Sequence, residues 1–209
     1  QRNIQELFPY KDLGEFELVQ AVMQNLPAEA NLHLSNSMSV RYANFVGLSS
    51  VNATVNVYAN RGTSGIDGCT STAVGHSLVS HKPNILITGD LAFFYDRNAF
   101  WHNYPLPNLR IVLLNNHGGI IFKIIDGPAH RQEGDEYFVT HQKLHAKKIC
   151  EEYGFEYLKL DNRRKIKNLL TDFFDFDGKT KVLELESDIH MNAKIFEEFK
   201  SLIKKNYEA

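Results

Sequence analysis

The sequence is short of several things, and each shortage narrows what the chain can be. It has two cysteines in 209 residues, Cys69 and Cys150, far apart and in no metal-ligand spacing. That count argues against a disulfide framework and leads us to expect a reducing, cytoplasmic setting. No apolar run approaches the ~20 residues of a membrane span. No basic-then-apolar segment opens the chain as a secretory signal would. Charge of one sign is also lacking, since 23 Lys and Arg against 25 Asp and Glu give a net charge of −2. A general polyanion surface does not follow, so nucleic acid is not an expected partner and any anion site must be local. The chain begins at Gln1 without Met, and the run to Tyr10 reads as a linker. Residues 1–12 are therefore expected to lead from a preceding domain, and 13–209 to form one domain of a longer protein.

What is there is a recurring alternation. Runs rich in Val, Ile and Leu are expected as strands at Asn31–Leu34, Thr54–Ala59, Asn84–Thr88, Arg110–Asn115, Phe155–Leu158 and Lys181–Glu186. Ile85-Leu86-Ile87 and Ile111-Val112-Leu113-Leu114 are apolar without a break, as in strands covered on both faces. Helices are expected at Leu13–Gln24, Ser37–Phe45, Asp67–Ser80, Asp90–His102, His141–Tyr153, Arg164–Phe174 and Met191–Tyr207. This alternation predicts an α/β fold: a doubly wound, about six-stranded, mainly parallel sheet with helices on both faces.

Open sheets of this kind bind ligands beyond the carboxyl ends of their strands. The residues after four expected strands are polar or glycine-rich: Ser35-Asn36-Ser37, Asn60-Arg61-Gly62, Gly89-Asp90 and Asn115-Asn116-His117-Gly118-Gly119. Asp90 alone reads as a helix N-cap, and the Asn pair alone as turn formers. Together they offer more. A carboxylate, an amide oxygen and a nearby backbone carbonyl form a hard-oxygen set suited to Mg²⁺, which completes its octahedron with phosphate oxygens and water. Gly118 and Gly119 let the backbone come close to a phosphate and donate N–H groups to it.

These residues carry a resemblance. Gly89-Asp90, 24 intervening residues and Asn115-Asn116 resemble the diphosphate-binding motif of thiamine-diphosphate enzymes, with Leu91 where that superfamily usually has a third Gly. More narrowly, four stretches resemble the SEPHCHC synthase family of menaquinone biosynthesis. They are Asn36 to Arg41, Asn60 to Gly68, Gly89-Asp90-Leu91 with Asp96 and Asn98, and Asn115 to Phe122. The resemblance runs from about Leu13 to the end. It implies thiamine diphosphate and Mg²⁺ (or Mn²⁺) as cofactors. Asp90, Asn116 and the Gly118 carbonyl would hold the metal, with Gly89, Leu91 and Gly119 beside the diphosphate. Ile66 would act in catalysis as the apolar wedge that bends the cofactor. Ser37, Arg41 and Arg61 would face substrate carboxylates, and Ile121 and Phe122 would line the pocket of the second substrate.

The implied reaction decarboxylates 2-oxoglutarate and adds the remaining fragment to isochorismate. Both are dicarboxylates, which suits arginine, because its planar fork makes paired hydrogen bonds to a carboxylate. The implied partner is a pyrimidine-binding domain, from the neighbouring subunit of a homo-oligomer, that brings a catalytic Glu. Without it the chain is expected to be inactive. Two alternatives stay open: another thiamine-diphosphate carboligase or decarboxylase, and a non-catalytic α/β binding module.

Other features point less far. His117 and Ile120 depart from the family's usual residues. Asp126–Glu136 is polar and reads equally as an active-site loop or a solvated connection. His141 and His145 stand four apart on an expected helix, a metal-binding spacing with no third ligand nearby in sequence. Gly62, Gly65 and Gly68 fit neither a P-loop nor a dinucleotide fingerprint. Cys69 has no activating base beside it and is expected to be buried and structural.

Overall fold

The continuous apolar runs lie at the centre of a sheet because each meets helices on both faces. A computed structural model describes residues 10–49, 52–128, 131 and 133–207; residues 1–9 of the expected linker lie outside these. The strands are β1 (Asn31–Leu34), β2 (Asn56–Ala59), β3 (Asn84–Gly89), β4 (Leu109–Asn115), β5 (Glu156–Leu160) and β6 (Lys181–Glu186). They pair in the order β2-β1-β3-β4-β6-β5, and every pair is parallel. The helices are α1 (Glu15–Gln24), α2 (Met38–Val46), α3 (Cys69–Val79), α4 (Asp90–Tyr95), α5 (Lys147–Tyr153), α6 (Ile166–Phe173) and α7 (Ile189–Tyr207). The fold is the expected doubly wound α/β domain.

Alternation along the strands divides the apolar side chains between two cores. Ile85, Ile87, Val112 and Leu114 join one core with α1, α2, α6 and α7. Leu86, Ile111 and Leu113 join the other with α3, α4 and α5. The edge strand β2 is the exception. Val57 and Tyr58 are 49% and 40% exposed, and the strand begins at Asn56, later than its sequence suggests. Cys69 and Cys150 are both free and buried, and burial pushes the Cys150 thiol up to about 12.

Two helix expectations need correction: the helix expected over Asp90–His102 ends at Tyr95 and gives way to a 3-10 turn over Arg97–Phe100. The expected helix from His141 starts only at Lys147. Upstream of it, the Gln142 N–H donates to the His117 carbonyl at 3.1 Å, and Asn115 Nδ2 donates to the Leu144 carbonyl at 2.9 Å. That stretch bonds to the loop after β4 instead of to its own next turn. His141 and His145 therefore do not share a helix face. Of the Asp126–Glu136 stretch, residues 129, 130 and 132 lie outside the described residues, and its end enters a π-helical turn over Gly134–Val139.

The amino end of β4 holds Arg110, fully buried. Its guanidinium donates to the carbonyls of Phe173 (2.5 Å), Lys179 (2.7 Å), Leu109 (2.9 Å), Pro107 (3.2 Å) and Asp175. At the other end of the sheet, strand order reverses between β1 and β3. In a doubly wound sheet this is where a crevice opens at the carboxyl ends.

Candidate functional site

A cavity of about 750 Å³ occupies that crevice. The residues that the sequence singled out meet there from four strand ends. Ser37 and Arg41 come from the start of α2, Arg61 and Ile66 from the loop after β2, and Gly89, Asp90 and Leu91 from the β3–α4 turn. Asn116, Gly118, Gly119, Ile121 and Phe122 come from the loop after β4, and every one of these residues lines the cavity.

The floor is built from buried oxygen atoms. Asp90 opens α4 directly after the buried strand β3 and is 1% exposed. Its Oδ2 accepts from Gln142 Nε2 at 2.7 Å. Burial raises its pKa to about 6, because a charged carboxylate is disfavoured away from water. Asn116 Nδ2 donates to Glu15 Oε1 at 2.6 Å, while Asn116 Oδ1 is buried with no hydrogen-bond partner among the described residues. An orphaned acceptor of this kind costs about 1–3 kcal/mol, a cost that a cation would remove. The orientation is not accidental: with Nδ2 held by Glu15, the amide must present its oxygen away from that carboxyl group. Glu15 is itself 1% exposed, also accepts from the Tyr42 hydroxyl at 3.2 Å, and has a pKa pushed up to about 7 by burial.

The glycines after β4 are needed for close approach. A Cβ on Gly118 would stand 2.9 Å from Val139 Cγ1, and one on Gly119 would stand 2.9 Å from the Phe122 ring. The Gly119 N–H, expected to serve a phosphate, is engaged instead with the Val139 carbonyl at 2.6 Å. His117 takes a left-handed conformation (φ 64°), and its Nε2 lies 3.0 Å from Glu186 Oε1. Ile120, the other departure from the expected pattern, is buried in the core. A buried carboxylate, an orphaned amide oxygen and a glycine-lined approach together fit a hard divalent cation carrying a diphosphate.

The opposite wall carries positive charge. Arg41 Nη1 donates to the Ser37 carbonyl at 2.7 Å, and Arg61 Nη1 to Asn36 Oδ1 at 2.8 Å. Among the described residues neither guanidinium forms an ion pair with a carboxylate. Burial, and then the nearby Arg61, lower the pKa of Arg41. Two cations that share a cavity and lack an anion suit an anionic ligand. Asn36 Nδ2 donates to the carbonyls of Asn60 (2.8 Å) and Gly65 (2.5 Å). It thereby fixes the loop that presents Ile66, which is half-buried. Asp96 lies outside the cavity and accepts from the Ser71 N–H and hydroxyl at 2.7 and 2.6 Å, holding the first turn of α3.

Sequence reasoning missed Glu15 and Gln142, which hold Asn116 and Asp90. No motif marks either, and Glu15 stands 101 residues from Asn116. A Glu on the core face of an amphipathic helix was the available signal.

No family model matches the chain. Among curated proteins, it is 52% identical over 197 residues to the 2-succinyl-5-enolpyruvyl-6-hydroxy-3-cyclohexene-1-carboxylate synthase of Cytophaga hutchinsonii, covering 94% of the chain and 35% of that protein. The enzyme of the same name from Christiangramia forsetii is 42% identical, with 94% and 33% covered. That from Bacteroides fragilis is 37% identical, with 91% and 34% covered. The chain spans about a third of the length of these relatives. With nearly its whole length aligned at such identity, the chain belongs to the 2-succinyl-5-enolpyruvyl-6-hydroxy-3-cyclohexene-1-carboxylate (SEPHCHC) synthase family.

Proposed function

We propose that the chain is the diphosphate- and magnesium-holding domain of a thiamine-diphosphate-dependent synthase. In this reading the whole enzyme decarboxylates 2-oxoglutarate and joins the remaining fragment to isochorismate. The observation that carries the proposal is the buried Asn116 Oδ1, without a partner among the described residues, in one cavity with the buried Asp90 carboxylate. The names of the relatives support it.

Asp90, Asn116 and the Gly118 carbonyl would hold Mg²⁺, with Gly89, Leu91 and Gly119 beside the diphosphate. When bound, thiamine diphosphate supplies the electron sink that decarboxylation of a 2-oxo acid requires. The chain's own residues position and select. Arg41 and Arg61, with Ser37, bind carboxylates, and two free cations favour a dicarboxylate over a monocarboxylate. Ile66 braces the cofactor's shape, a positioning role that acts on rate more than on affinity. Ile121 and Phe122 exclude water from the second substrate's side. The reading also calls for a pyrimidine-binding domain with a catalytic Glu, from a neighbouring subunit of a homo-oligomer. The two free, buried cysteines suit the reducing cytoplasm.

Asp90→Ala in the full-length protein tests the metal assignment by calorimetry. A group that merely supports a metal ligand is worth about 10–100-fold in affinity. Losing a direct ligand is therefore expected to weaken Mg²⁺-dependent binding of thiamine diphosphate by ~100-fold or more. Unchanged affinity would reject the assignment.

A further inference from the structure

A second group of potential ligands stands at the same rim, made of different atoms. His117 follows β4, His145 lies in the irregular stretch before α5, and Glu186 ends β6. One ligand atom from each lies within 4.8 Å of the others. His117 Nε2 is 3.0 Å from Glu186 Oε1, and His145 Nδ1 is 4.0 Å from Glu186 Oε2. The two imidazoles meet edge to face, with centroids 5.4 Å apart. We propose that His117, His145 and Glu186 form a binding site for a zinc-class divalent ion.

The chemistry of the ligands sets the class. Two imidazoles and one carboxylate are the set that Zn²⁺ and its borderline neighbours prefer, whereas Mg²⁺ prefers oxygen. The candidate magnesium ligands Asp90 and Asn116 offer oxygen alone, so the two sites differ in kind. Ligand atoms about 2.0–2.1 Å from a tetrahedral Zn²⁺ stand roughly 3.3–3.5 Å apart. The 3.0 Å span to Oε1 and the 4.0 Å span to Oε2 reach different oxygens of Glu186, and the set with one atom from each residue lies within 4.8 Å, wider than that range. The remaining gap closes by rotation of His145, whose side chain is 45% exposed.

The backbone places the three residues before any ion arrives. Asn115, two residues before His117, pairs in register with Glu186 across β4 and β6. The bonds from Gln142 to the His117 carbonyl and from Asn115 to the Leu144 carbonyl tie the His145 stretch to the same loop. The ligands thus come from three segments held by the sheet, not from one helix face. His117 and Glu186 also line a cavity of about 950 Å³, bordered by Arg163 and Arg164. Three protein ligands leave positions open toward it, as in zinc sites that take up water or an anionic ligand. The present competitor is Lys159 Nζ, 3.0 Å from Glu186 Oε2. That pair is partly exposed, and ion pairs open to water are weak.

Cobalt reports such a site through its visible d–d absorption. The chain is titrated with Co²⁺ in excess Mg²⁺. One saturable, low-coordinate spectrum is expected, displaced by Zn²⁺. His145→Ala and Glu186→Gln should each weaken it by about tenfold or more, and Asp90→Asn, which keeps an acceptor for Gln142, should leave it unchanged. All three variants are checked for fold by circular dichroism, and two of them alter exposed side chains. A missing spectrum, or one that survives both His145→Ala and Glu186→Gln, overturns the proposal. So does loss of the spectrum in Asp90→Asn, which would place the ion at the oxygen site. The outcome is independent of whether thiamine diphosphate binds.

Discussion

At the amino end of β4, Arg110 is fully buried and gives its N–H groups to five backbone carbonyls. At the carboxyl end, Asn116 is also buried, but its Oδ1 has no partner among the described residues, in a cavity that also holds the buried Asp90 carboxylate. Both ends pay for burying polar atoms. The Arg110 side chain is satisfied within the chain, whereas the Asn116 oxygen is left open. A buried charge with every partner internal is part of the scaffold; a buried acceptor without one points to a ligand where, as at Asn116 and unlike Asn108 Oδ1 at the amino end, it shares a cavity with a buried carboxylate.

The comparison breaks if Arg110 proves dispensable. Arg110→Met strands five carbonyls and should cost roughly 3–5 kcal/mol of stability. The expected fall in Tm is on the order of 10 °C for a chain of this length. Mg²⁺-dependent diphosphate affinity should hardly move, since the variant acts at the far end of the strand. Equal loss of stability and affinity in calorimetry would dissolve the distinction between the two ends.

A pH titration sharpens it with a third buried group. His33 is 3% exposed, lies 3.2 Å from His76 Nδ1 and 3.4 Å from Asn84 Oδ1, and stacks on Tyr58. Burial lowers its pKa from 6.5 to about 4, with a smaller contribution from His76. The folded chain thus favours the neutral ring. Its stabilising effect is complete above the unfolded value near 6.5 and fades as pH falls from there toward 4. The loss should reach up to roughly 3 kcal/mol at the acid end of that window. Urea unfolding at several pH values should show it, and His33→Gln should flatten that part of the profile. An unchanged profile would mean that the ring is not buried neutral.

The smallest expected effect asks whether the open end depends on its backing. Glu15→Ala frees the Asn116 amide to turn and should weaken Mg²⁺-dependent diphosphate binding about tenfold. Glu15→Gln keeps an acceptor in place and should retain most of the affinity. Equal affinities for the two variants would show that Glu15 does not orient Asn116.

Much of this was legible in the sequence for definite reasons. Unbroken runs such as Ile111 to Leu114 cannot leave either face in water, so the central strands and the doubly wound class followed directly. The rim residues were legible because glycine, Asn and Asp after a buried strand are unusual in combination. Less was visible where tertiary contacts override local preference. The stretch from His141 to His145 has a helical pattern, but Asn115 and His117 draw its backbone groups away. The edge position of β2 depends on strand order, which no local pattern encodes. Glu15 and Gln142 escaped because their partners come from distant parts of the chain. The Gly119 N–H looked available because only the fold brings Val139 to it.

The strand order carries a consequence for how the chain emerges from the ribosome. β6 lies between β4 and β5, so β4 has an unpaired edge until residues 181–186 have been synthesised. Asn115 must wait equally long for Glu184, its side-chain acceptor at 2.6 Å. A nascent chain truncated before β6 would present an open parallel edge of seven apolar-rich residues, a template for pairing with other chains. The loop that carries Asn116 would then be among the last parts of the domain to settle during translation.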